Sequence, residues 1–211
     1  MTYSAVLFDC DGVLIDSETI ATRSLHRSLL RLGLDYSEDE VGRTFTGHSW
    51  PDCMKMIEAS LGGALPDSFM TDNEQFFNAA LRAELTTMDG IERVLDRLDR
   101  PFALVTNSRR NELDMKLEVS GLDAFFPAAH RFDAETLGVA KPDPAIYQQA
   151  AAAMKVDIRD CLVLEDSLPG LTAASRAGAT VWAYRPLVSA AQMAELSIAR
   201  TLEHWDEFDL S

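Results

Sequence analysis

The chain has 211 residues and a formal net charge of −15 at pH 7. A surface of that sign repels nucleic acid and anionic lipid, so we expect neither as a partner. No stretch approaches the ~18 consecutive apolar residues of a membrane helix. The three cysteines contain no C-x-x-C pair. An integral membrane protein and a cysteine-based zinc or redox site are therefore not expected.

The N-terminal residues lack the basic flank of a secretory signal and reach an acidic residue at Asp9. We therefore expect a cytoplasmic protein, in which free cysteines are ordinary. Apolar residues make up 47% of the chain, enough for a substantial core. Nothing in the sequence requires more than a monomer.

Four short apolar runs predict buried strands. They do not alternate with polar residues, as is typical of a parallel sheet covered by helices on both faces. The runs are Ala5–Phe8, Phe102–Val105, Cys161–Leu164 and Thr180–Tyr184. Helical patterns lie between them at 91–98 and 146–153, and a third begins at Ser167 and ends near Gly178. This alternation predicts an α/β fold with a doubly wound, Rossmann-like parallel sheet, followed after about residue 186 by terminal helices.

Residues 17–87 interrupt the alternation. The segment is helical in character, with Leu25, Leu29 and Leu32 on one face. Its roughly 70 residues are more than a crossover helix needs. We therefore predict a catalytic core of residues 1–16 and 88–211, and a helical cap domain of residues 17–87 inserted after the first strand.

Polar residues follow three of the predicted strands. Their strand ends point to the same side of a parallel sheet, where ligands bind. The residues are Asp9 and Asp11 after the first strand, Thr106 and Asn107 after the second, and Glu165 and Asp166 after the third. Lys141 precedes a predicted helix, and its ammonium is the candidate for the positive charge that an anionic substrate needs.

Each of these motifs alone has a simpler explanation. A calcium loop starting at Asp9 requires glycine and glutamate where Leu14 and Ile20 stand. Ser167 alone is an ordinary helix cap, and the residues after the second strand form an ordinary turn. Their joint position at strand ends favours a functional site.

Clustered carboxylates repel one another unless a cation lies between them. Oxygen ligands without histidine or cysteine suit Mg²⁺, with Asp9 and Asp166 as side-chain ligands. The slowest phosphate-ester hydrolyses need about 10²¹-fold acceleration, and one acid–base group supplies about 10²–10⁴ of it. The rest requires positioning, a metal and charge neutralisation. An attack by Asp9 divides the reaction into two steps with an aspartyl-phosphate intermediate, and Asp11 can transfer the protons in both.

Four motifs occur in order along the chain: Asp9-Cys-Asp11-Gly12, Val105-Thr106-Asn107-Ser108, Lys141-Pro142-Asp143 and Glu165-Asp166-Ser167. With them the sequence resembles the haloacid dehalogenase superfamily. The insert after the first motif resembles the helical cap of the subgroup that contains sugar-phosphate phosphatases, phosphoglycolate phosphatase and β-phosphoglucomutase.

The resemblance implies a role for each motif residue. It implies that Asp9 is the nucleophile and a metal ligand, and that Asp11 is the acid and base and gives its backbone carbonyl to Mg²⁺. It also implies that Thr106 and Asn107 hold the phosphoryl group while Lys141 neutralises it. Asp166 then binds the metal, with Glu165 as a further ligand or a supporting residue. The second aspartate, Asp11, favours phosphoryl transfer over dehalogenation.

A β-phosphoglucomutase is the main alternative to a phosphatase. Mutases of this family carry a histidine shortly after the first motif, where this chain has Ala21. Their cap loop reads Lys-Gly-x-Ser-Arg, and here the stretch is Thr46-Gly47-His48-Ser49-Trp50, with neither the lysine nor the arginine. Both differences favour the phosphatase.

The loop of residues 43–50 is the expected specificity element, with Arg43, Gly47 and His48 as candidate residues. The chain also resembles bacterial phosphatases that act on phosphorylated sugars and sugar acids, including 6-phosphogluconate. We therefore expect a small phosphorylated metabolite as the partner. A third hypothesis, a binding protein without activity, is disfavoured because every catalytic motif is complete.

Overall fold

The computed structural model describes residues 3–46, 48, 50–186 and 188–210. The chain divides into two compact units, Met1–Asp16 with Thr86–Ser211, and Ser17–Leu85. Among the described residues, no helix combines the length and the apolar character needed to span a membrane.

The first unit is built on a six-stranded parallel sheet. The strands are β1 (Ala5–Phe8), β2 (Phe102–Thr106), β3 (Arg131–Asp133), β4 (Cys161–Glu165), β5 (Thr180–Tyr184) and β6 (Ile198–Leu202). Their order is β3-β2-β1-β4-β5-β6, and all five pairings are parallel. The predicted α/β fold with a doubly wound parallel sheet is therefore confirmed. The chain reverses its direction of winding between β1 and β4, which is where ligands bind in such sheets.

The helices of this unit connect the strands. Helices are numbered in chain order, and α1 to α4 belong to the second unit, described below. The helices of the first unit are α5 (Ile91–Arg97), α6 (Arg110–Ser120), α7 (Ala134–Leu137), α8 (Ala145–Ala153), α9 (Leu168–Ala177) and α10 (Ala190–Ala194). Helix α9 follows the sequence signals closely. The Ser167 side chain caps it by accepting from the Gly170 amide, and Gly178 ends it at a φ of 90°.

The expectation of terminal helices after residue 186 was wrong in part. The short helix α10 is present, but the edge strand β6 follows it. Of the β6 residues, Ile198 is half-buried and Leu202 is buried, while the three residues between them are exposed. An edge strand of this kind has no continuous apolar run, so its pattern does not resemble that of the buried strands.

Hydrophobic residues cover both faces of the sheet. On one face, Leu7 of β1 and Val163 of β4 belong to a core cluster with residues of α8 and α9. On the other, Phe8 makes aromatic contacts with Phe102, Phe126 and Trp205. Burial of a side chain of this size contributes about 1.5–3 kcal/mol, so these two layers fix the positions of the strand ends.

The second unit contains four helices, α1 (Ser17–Arg31), α2 (Glu38–Phe45), α3 (Trp50–Leu61) and α4 (Phe69–Glu84). Leu25 and Leu29 of α1 pack with Val41, Phe45 and Ile57 in its own core. No strand occurs in the part of this unit that the structure describes, residues 17–46, 48 and 50–85.

Candidate active site

Neighbouring strands bring the first group of predicted site residues to one edge of the sheet. Asp9 follows β1, while Thr106 and Glu165 are the last residues of β2 and β4. β1 pairs with β2 on one side and with β4 on the other. The carboxyl ends of these three strands therefore lie side by side.

Lys141 connects two of these carboxylates. Its ammonium donates to Oδ1 of Asp9 in a short contact and to Oε1 of Glu165 at 2.5 Å. All three residues are buried. Burial alone would lower the pKa of Lys141, but the negative charges of Asp9 and Glu165 outweigh it and raise that pKa.

The pKa of Asp9 is raised as well, and for a carboxyl group this favours the neutral form. Burial, together with the negative charges of Glu165 and Asp11, raises the pKa of Asp9 to about 7. The charge and hydrogen bond of Lys141 oppose it. Lys141 thus favours the ionised form of this carboxylate.

Glu165 is surrounded by donors. Its Oε1 accepts from Lys141 and from the hydroxyl of Tyr147 at 2.8 Å. Its Oε2 accepts from the backbone amides of Asp166 and Ser167 at 3.1 and 3.2 Å, and from the Ser167 hydroxyl at 3.0 Å. Both oxygens therefore already have partners within the protein.

Tyr147 was not predicted from the sequence. It lies in the first turns of α8, is fully buried, and has a pKa raised well above its ordinary value by burial and by the charge of Glu165. Its neighbours in the buried stripe of that helix are Ile146, Ala150 and Ala151. A buried tyrosine hydroxyl needs a hydrogen-bond partner, so a tyrosine in such a stripe indicates a polar group buried beside it.

The acidic residues fit a hard divalent cation. Asp9, Glu165 and Asp166 each place a carboxylate oxygen within 4.8 Å of the others. Asp166 also lies against Gly12, where an added Cβ would come 2.1 Å from its Oδ2. The site thus needs glycine at this position and offers only oxygen donors, as Mg²⁺ prefers.

The residues after β2 hold the loop that carries Lys141. The Asn107 side chain accepts from the Lys141 amide at 2.8 Å and donates to the Lys141 carbonyl at 3.2 Å. Thr106 is buried, and its hydroxyl oxygen accepts from the Ser108 amide at 3.0 Å. Asn107 and Lys141, two of the predicted phosphate-binding residues, are therefore joined directly, and Thr106 precedes Asn107 at the end of β2.

Asp11 has a partner that was not predicted from the sequence. Lys116 of α6 donates to Oδ1 and Oδ2 of Asp11 at 2.8 and 2.9 Å. Burial alone would lower the pKa of Lys116, but the nearby negative charges, with Asp11 first, raise it. Lys116 lies between Leu113 and Leu117 in the buried stripe of α6. A lysine in an apolar stripe is the sequence signal that points to such a buried ion pair.

The predicted specificity residues belong to the helical unit. Arg43 lies in the last turn of α2 with an exposed side chain, and His48 is also exposed. Gly47 lies outside the described residues.

Comparisons with known proteins show which family and which relatives this chain is similar to. The model of a family described as haloacid dehalogenase-like hydrolase matches residues 3–178. A 6-phosphogluconate phosphatase of Escherichia coli is 28% identical over 84% of this chain and 80% of its own length. A validoxylamine A 7'-phosphate phosphatase of Streptomyces hygroscopicus is 31% identical over 83% of each chain.

A solved structure extends the similarity to three dimensions. It is a hydrolase of the same family from Deinococcus radiodurans, with bound phosphate and sodium. The two structures superpose with a TM-score of 0.87 at 33% identity, over 97% of this chain and 93% of the other.

Proposed function

Because the chain belongs to the haloacid dehalogenase-like hydrolase family, as its four motifs predicted, we propose that it is a phosphatase that hydrolyses a small phosphate monoester through Asp9. The observation that carries the proposal is the buried contact between Lys141 and the Asp9 carboxylate. A general base alone needs no cation against it, whereas a nucleophile that attacks an anionic phosphoryl group does. The names of the relatives, both phosphatases, support the same reaction.

In the first step, an Asp9 carboxylate oxygen attacks phosphorus and the bond to the ester oxygen breaks. Asp11 gives its proton to the departing alkoxide, which leaves as an alcohol. Thr106, Asn107 and Lys141 hold the three remaining phosphoryl oxygens, and the Lys141 ammonium offsets their charge.

In the second step, a water molecule attacks the same phosphorus atom. Asp11, now ionised, takes the proton of that water, and the bond between Asp9 and phosphorus breaks. The products are inorganic phosphate and the original Asp9 carboxylate, so one water is consumed in each cycle.

We propose Mg²⁺ as the cofactor, held by the side chains of Asp9 and Asp166 and by the backbone carbonyl of Asp11. When bound, the ion offsets negative charge at the phosphoryl group and orients it. Glu165 was predicted as a further ligand or a supporting residue. Its five protein donors favour the supporting role, in which it holds Lys141 and the backbone that carries Asp166.

For the substrate we propose a phosphorylated sugar or sugar acid, as the names of the two phosphatase relatives suggest. Arg43, Gly47 and His48 remain the proposed specificity residues of the helical unit.

The test is phosphate release from a panel of phosphorylated sugars, sugar acids and short acids, with Mg²⁺ and with a chelator. We expect Mg²⁺-dependent release from a few related compounds, and none from the Asp9→Asn variant. Full turnover by Asp9→Asn would exclude Asp9 as the nucleophile. Conversion of β-glucose 1-phosphate into glucose 6-phosphate, faster than phosphate release, would establish the mutase instead.

A further inference from the structure

Lys116 is a buried cation whose side chain is 3% exposed. It lies on α6 between Leu113 and Leu117, and a third leucine there would bury well. Removing an ammonium from water costs several kcal/mol unless charged partners offset the loss. Its partners therefore indicate why a lysine occupies this position.

These partners converge on one carboxylate. The Lys116 ammonium donates to both oxygens of Asp11, at 2.8 and 2.9 Å, and to the Ser108 hydroxyl oxygen at 3.1 Å. Ser108 in turn donates to Oδ2 of Asp11 at 3.1 Å. Glu112, one turn earlier on α6, makes a short ion pair with the same ammonium. Both oxygens of Asp11 are thus held from the side of α6.

The backbone of Asp11 is held separately. The Gly12 amide donates to the Ile15 carbonyl at 2.9 Å, and the Leu14 amide donates to the Cys10 carbonyl at 2.9 Å. This tight turn fixes where the Asp11 side chain begins, while Lys116 and Ser108 fix where its carboxylate lies. A proton-transferring group must lie within hydrogen-bond reach of its target, about 2.6–3.2 Å, so both constraints bear on the reaction.

We propose that Lys116 is a positioning residue that fixes the direction of the Asp11 carboxylate for proton transfer to the leaving group. The proposal rests on the phosphatase function proposed above. A purely structural alternative is that Lys116 only ties α6 to the turn after β1.

The two roles differ in how they depend on the leaving group. An alkyl phosphate releases a strongly basic alkoxide, which needs a proton as it departs. p-Nitrophenyl phosphate releases a stable anion that needs none. A loss of Asp11 positioning should therefore slow alkyl esters selectively, whereas a distorted fold should slow both.

The experiment compares wild type with Lys116→Met and Lys116→Arg at saturating Mg²⁺. kcat/KM is measured for p-nitrophenyl phosphate and for the best alkyl phosphate of the panel, because it reports only the steps up to alcohol release. We expect Lys116→Met to lower kcat/KM about 10–100-fold for the alkyl ester and less than about 3-fold for the aryl ester. Lys116→Arg should recover part of the alkyl activity, because it keeps the cation.

An Asp11→Asn background provides the matched control. If Lys116 acts through Asp11, Lys116→Met should have little further effect on the alkyl ester once Asp11 is neutral. Equal losses on both esters, no loss on either, or a full additional loss in the Asp11→Asn background would each overturn the proposal. Circular dichroism and thermal unfolding identify a variant that fails to fold, and Lys116→Arg then serves for the comparison of the two esters. A wild type that releases no phosphate from either ester would refute the phosphatase function instead.

Discussion

The ammonium of Lys141 lies 5.4 Å from the centre of the Tyr147 ring, and both side chains donate to the same oxygen of Glu165. Glu165 is fully buried. A buried carboxylate is stable only when its oxygens are hydrogen-bonded, so the tyrosine and the lysine stabilise the same charge. The contributions of Tyr147 and Lys141 to stabilising the Glu165 carboxylate can be tested with separate substitutions.

Replacement of Tyr147 by phenylalanine removes one hydrogen bond and leaves the lysine in place. A hydrogen bond to a charged group contributes about 1.5–3 kcal/mol, so we expect a loss of that size in the free energy of unfolding. The measurement is urea unfolding in the presence of a chelator. Tyr36→Phe is the matched control, because it removes a bond to Ser60 near the surface of the helical unit. Equal effects of the two substitutions would contradict the importance of the buried pair.

Replacement of Lys141 by methionine leaves the Asp9 and Glu165 carboxylates buried without their cation. Loss of one partner of a buried ion pair costs about 3–5 kcal/mol, so this variant should be less stable than Tyr147→Phe. It should also lose measurable phosphatase activity. Stability is again measured by urea unfolding with a chelator.

A double substitution distinguishes how much the Asp9 carboxylate and the Glu165 carboxylate each contribute to the effect of replacing Lys141. In the Asp9→Asn background, only Glu165 loses its charged partner when Lys141 is replaced. The stability loss caused by Lys141→Met should therefore be smaller there than in the wild type. Strictly additive losses would show that the Asp9–Lys141 contact does not stabilise the protein.

The sequence predicted those parts of the site that follow buried strands. Asp9, Thr106 and Glu165 could be placed together because β1, β2 and β4 are continuous apolar runs with polar residues at their ends. The strands β3 and β6 were missed. β3 has three residues, and β6 exposes its middle, so neither produces an apolar run.

Tyr147 and Lys116 were missed for a different reason. Lys116 lies 105 residues from Asp11, and Tyr147 lies 18 residues from Glu165. Both are on helices, and a periodic pattern reports only which face of a helix is buried. It does not report what that face meets. The pairings Tyr147–Glu165 and Lys116–Asp11 depend on how α8 and α6 pack on the sheet, which requires three-dimensional coordinates.

The contact between Gly12 and Asp166 predicts a specific effect on metal binding. Gly12→Ala places a Cβ where the Asp166 carboxylate lies, at a φ of 77°. We expect loss of activity and a higher Mg²⁺ concentration for half-maximal activity. Gly121→Ala is the matched control. Gly121 has a φ of 75° and no atom within 4 Å of an added Cβ, so it carries only the backbone strain of about 1–2 kcal/mol. Equal Mg²⁺ dependence of the two variants would contradict this explanation.

The three cysteines should be unreactive in the folded protein. Cys10, Cys53 and Cys161 are all buried, and burial raises the pKa of each thiol, to about 11 for Cys161. The thiolate is the reactive form, so little of it is present at pH 8. We expect alkylation by iodoacetamide only after denaturation, measured by mass spectrometry. Rapid modification of native Cys10 would show that the turn after β1 opens readily.

The capping box at the start of α2 predicts a pH dependence of stability. Glu40 accepts from the backbone amide and the hydroxyl of Ser37, at 2.8 and 2.7 Å, and these bonds lower its pKa below 4.5. A carboxyl group whose pKa is lower in the folded than in the unfolded state stabilises the folded state at pH values above the unfolded-state pKa. This contribution to stability is lost as the pH falls through the folded-state pKa.

Glu40→Gln should therefore lower the thermal midpoint at pH 6–7, and its difference from wild type should shrink below about pH 4. Asp39→Asn is the control in the same first turn, without the reciprocal bonds to Ser37. A difference between Glu40→Gln and wild type that is constant with pH would mean that the charge of Glu40 does not stabilise α2.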